Sequence, residues 1–407
     1  MRTVLVTGTG GAGRTTVAAA TALAAARAGR RTLLLTADRG PVPDAVLAAA
    51  LPAESPGPAE PIPAAPGLWA ARIDADARFR GHAQDLQERA ASLFDLLGAA
   101  PFDAEELTEP PGAEAFATLA ALRSAHADGG WDLIVVDAPP VPETVRLLAL
   151  PEQLRRYLRR LLPTERQAAR ALRPMLAQLV GVPMPAQKLY EHAEYAEHEL
   201  AAVQGVIESA ATTVRLVLEP GAHAADALRA ARAGLALQGC RVDSVVANRL
   251  LPTGSADPFL AALSGRQQTA LKEIHEEYAN AATAVRELPH LGRDIQGPDD
   301  MAELGGFEAL GLVPETRHGR AADPWTVEDR LADDGVLVWL LPLPGARREG
   351  LDLIRRGDEL IVSVSPFRRV LPLPSALRRC SVSGAGLRDG VLRVRFTPDP
   401  ALWPKSF

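Results

Sequence analysis

Residues 3–29 read TVLVTGTGGAGRTTVAAATALAAARAG. Thr3 to Thr7 are a short β-branched and apolar run that stops at Gly8, the pattern of a strand buried on both faces. Glycines follow at positions 8, 10, 11 and 13, and then an Ala-rich segment predicts a helix that ends at Gly29. TLLLT, residues 32–36, is a second buried run and stops near Asp38. Strand, glycine loop, helix and strand make the first unit of a parallel sheet. Glycines at that junction let backbone N–H groups turn toward phosphate oxygens with no side chain in the way. The helix N-terminus adds partial positive charge, and Thr15 stands where a Mg²⁺-binding hydroxyl belongs. A dinucleotide-binding fold uses a similar junction with an acid closing the second strand, and Asp38 is within reach of that role, so both readings stay open at this level.

Working outward, residues 52–66 are rich in Pro and Ala and read as a loop, and LWAARID (68–74) reads as a strand. Residues from about 77 to 128 read as mostly helical. WDLIVVDAPP (131–140) is the clearest internal strand: an apolar run that ends in Asp137 and is stopped by prolines. Residues 151–210 read as a helical insert. VRLVLEP (214–220), VDSVVANRLLP (242–252) and the segment from Thr283 to Gly297 supply further strands, separated by helices. Residues 314–334 are polar, of mixed charge and without apolar period, and read as a linker. From 335 to 398 the chain changes to short strands with turn residues every 8–12 positions, which predicts a small all-β sandwich. The expected class is therefore α/β, a mostly parallel sheet over residues 1–313, with a separate C-terminal sandwich.

Composition narrows function more than fold. A net charge of −6 gives no general reason to expect nucleic-acid binding, and no apolar run approaches the ~20 residues that span a bilayer. The N-terminus has no signal-peptide pattern, so a cytoplasmic location is the expectation. Cys240 and Cys380 have no metal-ligand spacing. Lys188, Lys272 and Lys405 are the three lysines among 44 basic residues, a bias toward Arg that discounts any single Arg-for-Lys exchange.

Several motifs in series resemble the arsenite-pump and tail-anchored-protein-targeting ATPase family. GTGGAGRTT (8–16) resembles that family's deviant Walker A loop, G-K-G-G-x-G-K-T-T. LLLTADRGPVPDAV (33–46) resembles its switch I, and VVDAPPVPETVRLLALP (135–151) resembles its switch II. VLEP (217–220), ANRLLP (247–252) and ELPHLGRDIQG (287–297) match later segments, in order, so the likeness covers roughly residues 1–313. The resemblance implies a P-loop NTPase that binds ATP and Mg²⁺ at the interface of a homodimer and acts on a protein or membrane-protein client. By the same resemblance Gly10, Gly11, Ala12, Gly13, Arg14, Thr15 and Thr16 cradle the phosphates. Thr15 and Asp137 then hold the metal, Asp44 orients the attacking water, and Asn248 reads the adenine. Residues 335–398 resemble an α-crystallin-like (small heat-shock protein) domain, through LPLPGARREGLDLIRRGDELIVSV and AGLRDGVLRVRF. Strand edges there suit peptide addition, and a structural cap or dimerisation module is an equal reading.

The departures concern charge. Thr9 stands where the family has its signature Lys, Arg14 replaces the ordinary Walker Lys, and Pro142-Glu143 replaces the Gly-His of switch II. Arg keeps the charge but is bulkier and planar, and the composition bias accounts for it. Nothing in that bias accounts for Thr9. Loss of two cationic donors predicts binding with slow or absent hydrolysis, so a non-hydrolysing binding or scaffold protein stands beside the slow ATPase. The stretch 154–173 carries seven arginines at helical spacing, read as a solvated face with a basic membrane- or partner-binding face as the alternative.

Overall fold

The structure is a computed structural model that describes residues 1–52, 59–89, 100–161, 185–279, 283–305, 310–311 and 325–403. Strand β1 (Arg2–Gly8) is buried at every position and lies inside an eight-stranded sheet. Its neighbours are β5 (Leu133–Asp137) and β6 (Thr212–Leu218), both parallel to it. β2 (Thr32–Thr36) pairs with β5, and β4 (Leu68–Arg72) with β2. On the other side β7 (Val242–Leu250) and β8 (Ala284–Pro289) complete the order β3-β4-β2-β5-β1-β6-β7-β8. The Val/Leu/Ile-rich central runs follow from burial on both faces. Helix α1 (Arg14–Arg27) packs across β5 and β2, and its small alanines permit close approach to the sheet.

The chain departs from expectation at three places. Strand β3 (Ile62–Ala65) forms inside the stretch read as a Pro/Ala loop, and it is the one antiparallel strand of the sheet. Strand β9 (Thr326–Arg330) forms inside the stretch read as a linker. Its five residues are all exposed, so backbone pairing with β10 (Val336–Pro342) holds it rather than apolar burial. The helical insert is not set off at residue 151. Helix α5 runs unbroken from Val141 to Leu161, with Pro151 inside it, and α6 (Pro185–Ile207) packs against it. Residues 162–184, including Met175, Met184 and the last three arginines of the 154–173 stretch, lie outside the described residues.

The C-terminal strands form two sheets, β14-β15-β10-β9 and β11-β12-β13. Here β11 is Leu351–Arg356, β12 Glu359–Val364, β13 Phe367–Pro372, β14 Cys380–Arg388 and β15 Val391–Pro398. Leu337, Val338, Trp339, Leu392, Val394 and Phe396 of one sheet are buried, as are Leu360, Val362 and Val364 of the other. The alternation in β12 and β15 is the mark of a sandwich, while β10 is buried at three successive positions.

The sandwich is seated on the first domain. Phe367 packs on Gly234 of α7 (Ala224–Leu237), where a Cβ would lie 2.5 Å from the ring. Arg369 donates to the Glu152 carboxylate at 2.9 Å and to the Leu237 carbonyl at 3.0 Å. Arg156 donates to both Glu359 oxygens, at 2.9 and 2.6 Å. Arg155 pairs with Glu197 of α6. Two arginines of the basic stretch are therefore engaged within the protein rather than presented as a free cationic face.

Arg215 of β6 is a fully buried arginine. It bonds Asp243 at 3.1 Å, the Thr21 hydroxyl at 3.0 Å and the Leu310 carbonyl at 2.8 Å, and Arg2 lies 3.6 Å from the same Asp243. The Asp243 carboxylate thus lies against two buried cations in a group that joins β1, β6, β7 and α1. We expect Asp243→Ala to cost about 3–5 kcal/mol, because it leaves buried charge uncompensated. A lowered urea midpoint against the unaltered protein is the measurement.

Candidate nucleotide-binding site

The site forms where β1 ends. Gly8 has no room for a side chain, since a Cβ there would lie 1.8 Å from the Val217 carbonyl oxygen of β6. The Thr9 amide donates to that carbonyl at 3.1 Å, which turns the chain out of the sheet. Gly11 and Gly13 then adopt φ of +78° and +85°, the left-handed region that favours glycine. Around Gly10 and Gly11 there is open space on the side a Cβ would take. Helix α1 starts at Arg14 without a side-chain cap, so its first N–H groups are available to an anion.

The loop's carbonyl oxygens are held from outside. The Asn248 amide donates to the Ala12 oxygen at 2.8 Å, and Arg249 donates to the Gly11 oxygen at 2.8 Å. The Arg14 guanidinium donates to the Ala138 carbonyl just past β5. Nearby, the Thr144 hydroxyl of α5 donates to Pro139 O at 2.6 Å, and the Thr7 hydroxyl approaches the same oxygen at 2.6 Å. These bonds tie the start of α5 to the end of β1.

Asp137 ends β5, in register with Val6 on one side and Thr36 on the other. Its carboxyl is buried and accepts from the Thr36 hydroxyl at 2.9 Å. Burial raises its pKa, opposed by hydrogen bonds from Thr36 and Thr15 and by the charge of Arg14. Thr15 and Asp137 are therefore together. A hydroxyl and a carboxylate are hard oxygen donors that fit Mg²⁺, which keeps its remaining coordination for phosphate and water.

The two acids of the switch I segment separate. Asp44 lies in the first turn of α2 (Val42–Leu47), where it accepts from Arg72 at 2.7 Å and from the Leu51 amide at 3.0 Å. Asp38 stands two residues past β2 and accepts from the Gly40 amide at 2.7 Å, and its charge adds a minor part to the raised pKa of Asp137, whose main cause is burial. The Asp38 amide donates at 3.2 Å to the Thr36 hydroxyl that also bonds Asp137, while Asp44 is held by Arg72. Sequence reading missed Arg249 and Arg72. Arg249 had a weak signal, adjacency to Asn248, while nothing local marked Arg72.

Beside the loop lies a cleft of about 570 Å³ whose lining includes Gly13, Thr16, Val42, Asn248, Leu291 and Ile295. Its far wall is the 289–296 segment that follows β8. The glycine loop after β1 thus opens into a half-apolar cleft at the C-terminal edge of a parallel sheet, the place where such sheets take their ligands.

Comparison with known proteins agrees. Residues 1–307 match the anion-transporting ATPase family, and residues 334–396 match the HSP20-like domain found in ArsA. The chain belongs to the anion-transporting ATPase family. It is 55% identical to an uncharacterized protein of Streptomyces coelicolor over the full length of both chains. A Mycobacterium tuberculosis protein is 31% identical, covering 99% of this chain and 97% of its own. A protein of Aquifex aeolicus, provisionally named arsenical pump-driving ATPase 1, is 25% identical over 93% of this chain and 95% of its own. Among the described residues no helix is long and apolar enough to cross a membrane.

Gly13 offers a direct check on the loop. A Cβ at this φ of +85° is strained and would lie 2.5 Å from the Asn248 amide nitrogen. Gly13→Ala should weaken ATP binding by about tenfold or more, since αL geometry alone costs roughly 1–2 kcal/mol. Calorimetric titration with ATP, at an unchanged melting temperature of the sandwich, reads it.

Proposed function

We propose that the protein binds ATP with Mg²⁺ and hydrolyses it slowly, as a nucleotide-dependent switch on a protein or membrane-protein client. The observation that carries this is the disposition of charge around the loop. Gly8 to Thr16 contain no lysine, Thr9 is uncharged, and the Arg14 guanidinium is engaged on the Ala138 carbonyl. The N–H groups of a phosphate cradle remain, while the mobile cations that stabilise developing charge in phosphoryl transfer are missing. Thr15 and Asp137 are the residues that would hold the metal, whose contribution when bound is neutralisation of phosphate charge.

Asp38 is the proposed water-orienting acid. It stands two residues past β2, where its amide bonds the Thr36 hydroxyl that also bonds Asp137, whereas Asp44 accepts from Arg72 and from the Leu51 amide. Asn248 lines the cleft and is proposed to face the base from there. A second copy of the chain is the proposed partner. The first turns of α8 (Pro258–Tyr278), which follow β7, leave Phe259, Leu260 and Leu263 exposed. The metalloid chemistry in the names of relatives has little support here. Burial pushes the Cys240 thiol up to about 12 and raises that of Cys380, the reverse of what a thiolate ligand needs.

Phosphate release and ATP titration on the purified protein test this reading. ATP should bind only weakly without Mg²⁺, with turnover well below the ~10 s⁻¹ typical of enzymes. The double change Thr9→Lys and Arg14→Lys should raise turnover by about 10²–10⁴-fold. Asp38→Asn should remove what turnover the unaltered protein has, and Asp44→Asn should lower the melting temperature instead. Fast turnover in the unaltered protein, or no ATP binding at all, would sink the proposal. ATP binding with no turnover whatever favours the non-hydrolysing scaffold, the second reading that the same loop supports.

A further inference from the structure

Arg249 is unusual in three independent ways. It is a non-glycine residue with φ of +59°, a conformation that L side chains rarely adopt and that persists only where surroundings enforce it. Its guanidinium leaves its own strand end to bond Gly11, a residue 238 positions earlier, at 2.8 Å. The side chain is 47% exposed and lines the rim of the cleft, so burial alone does not hold it there. Glu219 lies 3.8 Å behind it, at the end of β6.

The neighbouring residue does a matching job. Asn248 holds the Ala12 oxygen and Arg249 holds the Gly11 oxygen, so two successive carbonyls of the loop are drawn toward the end of β7. A peptide unit that turns its oxygen one way turns its N–H the other. Drawing both carbonyls outward therefore leaves the following amides, of Ala12 and Gly13, to be oriented by the same two bonds. The Ala12 amide is bonded within the loop, to the Thr9 carbonyl at 3.3 Å, and the Gly13 amide heads the turn into α1. The Arg249 guanidinium also passes over Gly13, its Nε 4.0 Å from where a Cβ would be.

We propose that Arg249 is a positioning residue that clamps the phosphate loop through the Gly11 carbonyl, with Glu219 steadying its guanidinium. It sets the direction of the loop's N–H groups before nucleotide arrives. In a loop with no lysine, this pre-ordering takes over part of the work that cationic contact with phosphate does elsewhere. The inference rests on the nucleotide reading of the site and adds a residue to it. The positive φ has a stated use: it turns the Arg249 side chain back across the loop from the end of a strand.

Hydrogen exchange and ATP titration on the full chain test the clamp. In nucleotide-free protein, Arg249→Ala should speed exchange of the amides of residues 10–16 several-fold, with β1, β5 and β6 unchanged. ATP affinity should fall about tenfold. Arg249→Lys, which keeps a donor, should restore slow exchange and most of the affinity. Glu219→Gln should give a smaller change in the same direction. Unchanged loop exchange in Arg249→Ala overturns the proposal, whether or not affinity falls, because an affinity loss alone means direct contact with nucleotide. Faster exchange with unaltered ATP affinity also overturns it. Absence of ATP binding by the unaltered protein counts against the nucleotide reading, and the exchange measurement then judges the clamp by itself.

Discussion

The parallel register of β1, β5 and β2 is the constraint on which the site depends. It sets Val6 beside Asp137 and Asp137 beside Thr36. From that alignment the loop after β1, the acid ending β5 and the acid after β2 reach one edge of the sheet together. Parallel strands send their C-terminal ends the same way, so residues 8, 38 and 137 come to one edge of the sheet although they are far apart in the chain. The buried Arg215, Asp243 and Arg2 group joins the neighbouring strands on the other side of β1. It is costly to break rather than strongly stabilising.

The same edge explains the organisation of charge. A phosphate loop works through backbone N–H groups, and those groups must be held in place by bonds to their carbonyl partners. Asn248 and Arg249 supply two such restraints on loop carbonyls, and Arg14 bonds the Ala138 carbonyl past β5. Cations that are engaged in this way order the site without moving onto the ligand.

Helix α5 gives the second domain a physical relation to the site. It begins four residues after Asp137, is tied to β1 by Thr144, and carries Glu152 and Arg156 to the sandwich. The interface also includes Phe367 on Gly234, a contact too close to admit any larger residue. The sandwich is therefore packed on the first domain by side chains of specific shape and charge, not merely joined by the segment around 314–334.

Local sequence determined the elements whose burial is complete. TVLVT, TLLLT and LIVVD could be only buried strands, and the glycines at 8, 11 and 13 could be read as a loop because no other residue fits that backbone. The family resemblance and the comparisons agree on both domains. Tertiary structure alone decided the rest. Strand β9 has no apolar signal, because its partner strand and not its side chains holds it. Residues Asp38 and Asp44 are indistinguishable as local acids, and only Arg72, from another strand, draws Asp44 away. Arg249 looked like an ordinary surface arginine, since its meaning lies in a bond to a residue at the other end of the domain. The opening loop was legible through its glycines, but which backbone oxygens Arg14 and Arg249 hold was decided by contacts that no local pattern records.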